Sequence, residues 1–253
     1  LFVQEGYLMK IFEKNIINSY GCDGKKWLTK IPEITENLAK KHYLTGLKPV
    51  SNMSFNYVAA GYRHDKPIIL KLGLNSEALT TEVNCLKAFA GFGAPRVFVN
   101  EEGVLIIAQA VPGRTLKDYF PQREDESIKI VCSIIKKLHR ASIPVNHDFY
   151  QVRDLLQVLD TDLDIPSIIL IKARKLRDLL LASNEQTVLL HGDLHHDNIL
   201  QNGAEWMVID PKGCRDLFLE TITHYDEPIA DQNMLSYRYI AQRAKKDGVS
   251  VLL

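Results

Sequence analysis

Thr187-Val-Leu-Leu-His-Gly-Asp-Leu-His-His-Asp-Asn-Ile-Leu200, followed by Trp206-Met-Val-Ile-Asp-Pro-Lys-Gly213, is the stretch on which the fold turns. Its first four residues read as a short apolar strand that runs into a polar loop at His191. A second strand begins at Ile199, the chain turns at Gln201-Asn202-Gly203-Ala204, and a third strand ends at Asp210. Asp193, Asn198 and Asp210 can therefore converge at one edge of a small hairpin. Two carboxylates and an amide supply hard oxygen ligands and a base, and hard oxygens suit magnesium, which keeps several waters and bridges substrate phosphates. His191, His195 and His196 raise the alternative of zinc. No cysteine lies nearby, however, and the surrounding oxygens favour the harder ion.

Asp193 precedes Asn198 by five residues, the interval between the catalytic Asp and the metal-binding Asn of the kinase loop. That interval alone carries nothing. The whole string, strand, His-Gly-Asp-x-x-x-x-Asn, strand, Asp, is far more specific. His191-Gly-Asp-Leu-His-His-Asp-Asn198 with Ile209-Asp-Pro-Lys-Gly213 resembles the aminoglycoside/hydroxyurea phosphotransferase family, which includes streptomycin 6-kinase-like enzymes. That family lies within the aminoglycoside-kinase and choline-kinase group. The first motif marks the wider group and the Asp-Pro-Lys-Gly ending narrows it. Gly24-Lys-Lys-Trp-Leu-Thr-Lys-Ile-Pro32 is also similar to this branch, so the likeness runs from about residue 20 to 213.

The resemblance implies an α+β, bilobed protein-kinase-like fold. An antiparallel-sheet, nucleotide-binding lobe would occupy 1–110, and a mostly helical catalytic and substrate-binding lobe 111–253. It implies an ATP-dependent O-phosphotransferase that moves the γ-phosphate to a hydroxyl of a small molecule, with magnesium at Asn198 and Asp210 and Asp193 as the base. The expected acceptor is an aminoglycoside such as streptomycin, which makes the chain an antibiotic resistance kinase. Choline, fructosamine, homoserine and methylthioribose remain alternative acceptors, and a non-catalytic nucleotide-binding regulator is the alternative of another class.

A kinase needs a strand lysine for the nucleotide phosphates and a helix glutamate to hold it. Ile68-Ile-Leu-Lys-Leu72 supplies Lys71, and Glu77 and Glu82 lie on the next helix. Glu82 is chosen, because Glu82-x-x-x-Leu86 matches the family and leaves Glu77 near the helix start. Lys71→Ala is expected to alter ATP kinetics with little change in thermal stability. No GxGxxG is present. Ser51, Asn52 and Ser54, in Val50-Ser-Asn-Met-Ser-Phe-Asn56, are the candidates for covering the phosphates, although such a string is also an ordinary turn. By the resemblance, the backbone at Gln109 and Val111 meets adenine. An acceptor carrying several positive charges calls for carboxylates, since a cleft of one sign concentrates the other. Glu220 and Asp226 rank first, ahead of Asp160, Asp162 and Asp164.

The rest of the chain is consistent with a soluble globular protein. Of its 253 residues 46% are hydrophobic and 25% charged, ordinary globular usage. Thirty-one basic residues balance thirty-one acidic ones, which gives no net charge to draw the chain to nucleic acid or membrane. Cys22, Cys85, Cys132 and Cys214 are scattered without a CxxC pair, and Leu1-Phe-Val-Gln-Glu5 lacks signal-peptide regions, so a cytoplasmic protein with reduced thiols is expected. Oligomeric state is not legible. Apolar spacing predicts helices over 32–44, 76–90, 127–141 and 168–181, hairpins over 56–72 and 95–111, and Ser76 as a cap. The basic face Lys172, Arg174, Lys175 and Arg177 reads as solvated surface. Asp160, Asp162 and Asp164 alternate as in a calcium loop but lack its Gly and distal Glu, so calcium is set aside. After Gly213 the chain departs from the family, which places a Gly- and Pro-containing segment there.

Overall fold

Period-2 alternation in 56–61 and the apolar run Ile68-Ile-Leu70 produce the central hairpin. The computed structural model describes residues 2–51, 53–119, 122–145, 149–182 and 187–217. In it strands β2 (Asn56–Arg63) and β3 (Lys66–Gly73) pair antiparallel in unbroken register from Asn56↔Gly73 to Arg63↔Lys66. The turn is the two residues His64 and Asp65, both at positive φ (46° and 62°), which matches the right-handed twist of the strands. The strand thus runs through Tyr62 and Arg63 up to the turn.

The chain divides into two compact units, 1–87 with 95–113, and 88–94 with 114–253. A single boundary at 110 would leave 88–94 in the first lobe. Instead that segment groups with the second unit, where the Gly93 carbonyl accepts a hydrogen bond from the Val208 amide at 2.9 Å.

The first unit opens with α1 (Phe2–His42), which is broken at Gly21 (φ 56°, ψ −126°). The helix therefore begins long before Pro32, the expected start, and Pro32 sits inside it. The two halves meet face to face. The Phe12 and Trp27 rings pack edge-on with centroids 6.2 Å apart, and a Cβ at Gly24 would lie 2.7 Å from the Ile16 carbonyl oxygen. Strand β1 (Leu44–Pro49) follows and pairs antiparallel with β2. Leu-Thr-Gly-Leu-Lys-Pro has no apolar alternation and carries a register shift between Thr45 and Lys48, which hides it as a strand in the sequence. Gly61 lets it approach: a Cβ there would meet Leu47 and the Thr45 carbonyl within 2.9 Å.

Helix α2 (Ser76–Ala88) is capped by Asn75, whose Oδ1 accepts from the Ala78 amide at 3.1 Å; Ser76 is not the cap. Strands β4 (Val97–Glu101) and β5 (Val104–Ala108) complete a five-stranded sheet of order β1-β2-β3-β5-β4. One sheet face, with Tyr57, Ala59, Ile68, Leu70, Leu72 and Ile106, is buried together with Phe12, Ile16, Ile31 and Leu38 of α1. Burying each large aliphatic or aromatic side chain contributes about 1.5–3 kcal/mol. Strand alternation puts Lys71 on the other face, beside its register partner Leu105 and toward α2.

Strand β6 (Pro112–Thr115), which crosses the boundary at 113, leads to α3 (Glu124–Leu138) of the second unit, which buries Ile128, Val131, Ile134, Ile135 and Leu138, the stripe expected from its spacing. Short elements β7 (Tyr150–Gln151) and α4 (Val152–Leu155) precede α5 (Ser167–Ala182). The basic face of α5 is not merely solvated. Arg177 pairs with Asp160 at 2.6 Å with its own side chain 14% exposed, and Arg174 donates to the Leu159 carbonyl at 2.7 Å. Asp160 is thereby committed to the fold, and Asp162 and Asp164 are exposed. Strands β8 (Thr187–Leu190), β9 (Ile199–Asn202), β10 (Glu205–Val208) and β11 (Cys214–Leu217) join β6 and β7 in two three-stranded sheets, β10-β9-β6 and β7-β11-β8. The first four residues after Gly213, Cys214–Leu217, thus form a strand between β7 and β8. Among the described residues no helix is long and apolar enough to cross a membrane.

Candidate functional site

Each unit holds one cluster of the expected residues. In the first, β3 presents Lys71 toward α2, where Glu82 lies one face away from the exposed Glu77. Lys71 Nζ and Glu82 Oε1 are 2.7 Å apart. Lys71 is 5% and Glu82 8% exposed, so both charges are withdrawn from water. A buried ion pair recovers its desolvation cost only in part, whereas removing one partner costs several kcal/mol. This burial argues against the expectation that Lys71 can be truncated with little loss of stability.

The loop between β1 and β2 carries Ser51 and Ser54, both exposed; Asn52 lies outside the described residues. The Val50 amide donates to the Val58 carbonyl at 3.0 Å, and buried Met53 accepts from the Val58 amide through Sδ at 3.1 Å. Gln109 donates its amide to the Pro67 carbonyl at 3.1 Å, and Val111 is 50% exposed.

In the second unit the loop after β8 is cross-braced. The His191 carbonyl accepts from the Lys212 and Gly213 amides at 2.9 and 3.1 Å, and the Asn198 carbonyl accepts from the Ile209 amide at 3.0 Å. These bonds bring the segment bearing Asp210 against the one bearing Asp193 and Asn198. Asn198 is buried in a 3₁₀ turn (His196–Asn198), and its Nδ2 donates to the Asp193 carbonyl at 2.9 Å. That bond assigns the amide orientation and leaves Oδ1, a hard oxygen, as the outward donor. Asp210 has φ 60°, a left-handed conformation that Asp tolerates better than most residues, at the end of the β9–β10 hairpin. The donor set thus fits magnesium: one amide oxygen and one carboxylate, the rest left to water and phosphate. Among the described residues no group of three or more His, Cys, Asp or Glu is placed to hold a metal ion by itself.

Asp193 keeps a side chain 39% exposed, accessible to a substrate, with His195 Nε2 3.8 Å from its Oδ1. His195 Nδ1 lies 3.9 Å from Asp197, and Asp197 meets Lys117 at 3.3 Å. Sequence reading missed Lys117, which no spacing connects to the loop. It also missed the state of His191. That ring is buried, neither nitrogen has a well-formed hydrogen bond, and burial lowers its pKa from 6.5 to about 4 against the opposing pull of the Ile209 backbone and Asp210. His191 is neutral at pH 7 and acts as a packing group. Burial likewise lowers the pKa of His196. Glu220 and Asp226 lie outside the described residues.

The five-stranded sheet with its buried Lys–Glu pair, and the braced Asp–Asn–Asp loop, define a kinase-like fold. Residues 48–216 match the family described as aminoglycoside/hydroxyurea antibiotic resistance kinase, and the chain belongs to that family. The expected family and fold class are thus borne out. Streptomycin 3''-kinase of Klebsiella pneumoniae is 32% identical over 125 residues, 49% of this chain and 47% of that protein, so the alignment spans about half the length of this curated relative. Among solved structures, a thermostable mutant of aminoglycoside phosphotransferase APH(4)-Ia in ternary complex with ADP and hygromycin B aligns with a TM-score of 0.59 at 14% identity, covering 83% of this chain and 82% of that one. A choline/ethanolamine kinase family protein from Mesorhizobium loti aligns with a TM-score of 0.57 at 16% identity, covering 73% and 65%. At such identities these two likenesses are of fold.

Proposed function

We propose that the chain is an ATP-dependent O-phosphotransferase whose acceptor is an aminoglycoside, with streptomycin the first candidate. The observation that carries the reading is the buried Lys71–Glu82 pair. Such a pair adds little net stability over an apolar substitute, so its presence on a central strand argues for a ligand that needs a fixed cation. The relative that acts on streptomycin by name, and the neighbour bound to ADP and hygromycin B, support nucleotide and acceptor class.

Phosphoryl transfer asks the protein for positioning and charge neutralisation more than for covalent chemistry. Lys71, oriented by Glu82, would hold the nucleotide phosphates, and Ser51, Asn52 and Ser54 would cover them. The Gln109 carbonyl and the Val111 backbone would meet the base, since the Gln109 amide is already engaged. Asn198 Oδ1 and the Asp210 carboxylate would hold magnesium, which supplies positive charge beside the phosphates when bound. Asp193 would orient the acceptor hydroxyl and take its proton at the carboxylate, while the Asn198 side chain fixes the Asp193 backbone. The division of labour places nucleotide binding in the first unit and acid–base work in the second. Glu220 and Asp226 remain the proposed acceptor carboxylates, and a cytoplasmic location goes with the same reading.

The test is ATP consumption with product mass measured over a panel: streptomycin, hygromycin B, choline, fructosamine, homoserine and methylthioribose. Streptomycin-stimulated consumption with a phosphorylated product is expected, and the product identifies the hydroxyl. Stimulation only by one of the other metabolites refutes the aminoglycoside assignment. Nucleotide binding without turnover on any acceptor refutes the enzyme reading in favour of a regulator.

A further inference from the structure

We infer that Asn15, outside the family-matched region 48–216, is a positioning residue for nucleotide binding: it aims the Phe55 backbone amide at the phosphates. The inference rests on the reading of 50–56 as the phosphate-covering loop.

Asn15 sits on the first half of α1, next to Ile16 and three residues after Phe12, which are 0% and 1% exposed. Those two side chains lock the helix onto the sheet, so the Asn15 backbone is a fixed point. Its Nδ2 donates to the Ser54 carbonyl at 3.2 Å, a tie across 39 residues. Ser54 lies in the loop where the β1–β2 ladder has ended, between the buried anchor Met53 and the start of β2. No ladder bond holds the peptide that joins Ser54 to Phe55. That peptide is planar and trans, so its carbonyl and its N–H point in opposite directions. Drawing the Ser54 carbonyl toward α1 therefore turns the Phe55 N–H away from α1. This N–H makes no hydrogen bond among the described residues. A backbone N–H with no partner, in a loop that lacks the glycines of other phosphate loops, is a ready donor to a phosphate oxygen. The Asn15 amide restricts the rotation that would otherwise spoil its aim.

The experiment uses the full chain with ADP and ATP as the probes. Asn15→Ala and Asn15→Leu, which both remove the donor, should weaken ADP binding and raise KM for ATP about 2–10-fold, the size of one hydrogen bond. Turnover at saturating ATP, acceptor KM and thermal midpoint should stay at parental values. Amide hydrogen exchange should rise in 53–58 and nowhere else. Asn15→Gln, which keeps a donor on a longer arm, should recover part of the affinity. Parental ADP affinity and exchange in both donor-less variants overturn the inference. So does a loss of stability with no change in ADP affinity, which marks a merely structural residue. Lys71→Ala, run in parallel, separates the levels: if it too leaves ADP binding intact, the nucleotide-binding reading of the unit has failed. If it abolishes binding while the Asn15 variants do not, only the role of Asn15 has failed.

Discussion

Lys71→Met keeps the length and most of the volume of the lysine side chain and removes its charge. Glu82, 8% exposed, then loses the partner 2.7 Å away. Breaking a buried pair from one side costs about 3–5 kcal/mol, because the remaining charge has lost a close partner without regaining water. A solvent-exposed pair would cost only about 0–1 kcal/mol. For a chain of this size each kcal/mol moves the thermal midpoint by about 2–4 °C, so a fall of about 6–20 °C is expected. Glu82→Leu alone should be similarly damaging, since it takes from the buried ammonium its carboxylate partner at 2.7 Å. The double variant Lys71→Met/Glu82→Leu removes both charges and should regain most of the loss, because an apolar substitute for a buried pair is often neutral. Urea and thermal unfolding at pH 7 on all four proteins gives the coupling directly. Nucleotide binding should be lost in all three variants, the stable double one included. The reasoning is refuted if Lys71→Met costs less than about 1 kcal/mol and the double variant is no more stable than either single one.

Two further outcomes are expected. Asp193→Ala should leave ADP binding near parental and cut turnover by about 10²–10⁴, the size of general-base effects, while Asp210→Ala should also weaken magnesium-dependent nucleotide binding; calorimetry with steady-state kinetics separates the two, and parental turnover in Asp193→Ala would remove it as the base. His191 should make the fold acid-sensitive. Its folded pKa, about 4, lies below the unfolded 6.5, so as pH falls the unfolded chain takes up the proton first. Stability present above pH 6.5 is lost between about 6.5 and 4, by about 3 kcal/mol at most, and is flat below. A pH series of urea unfolding should show that slope reduced in His191→Gln; an identical slope in the variant would assign it to other groups.

Much of the fold was legible where the determining forces are local. The apolar run within 66–72 and the apolar stripe Ile128–Leu138 each emerged as the expected element, because a strand-length apolar run and a helix period are written over a few residues. Elements held by distant contacts were not legible. Strand β1 has no alternation and exists because β2 pairs with it across Gly61, and the start of α1 was missed because its first half folds back on its second at Gly24. The polar face of α5 looked solvated because nothing in its sequence announces Asp160 and two backbone carbonyls as partners.

The sequence by itself determined the reactive groups and their order: the five-residue step from Asp193 to Asn198, the carboxylate at a strand end, and a lysine framed by apolar strand residues. Such spacings survive in any fold that keeps the loop short, so they can be read without coordinates. Tertiary structure alone decided what those groups experience. It withdrew Lys71 and Glu82 from water together, turned the Asn198 amide so that its nitrogen bonds the Asp193 carbonyl, made His191 neutral, and tied Asn15 to Ser54 across 39 residues. Burial and electrostatics depend on every neighbour in space, and most of those neighbours lie far away along the chain.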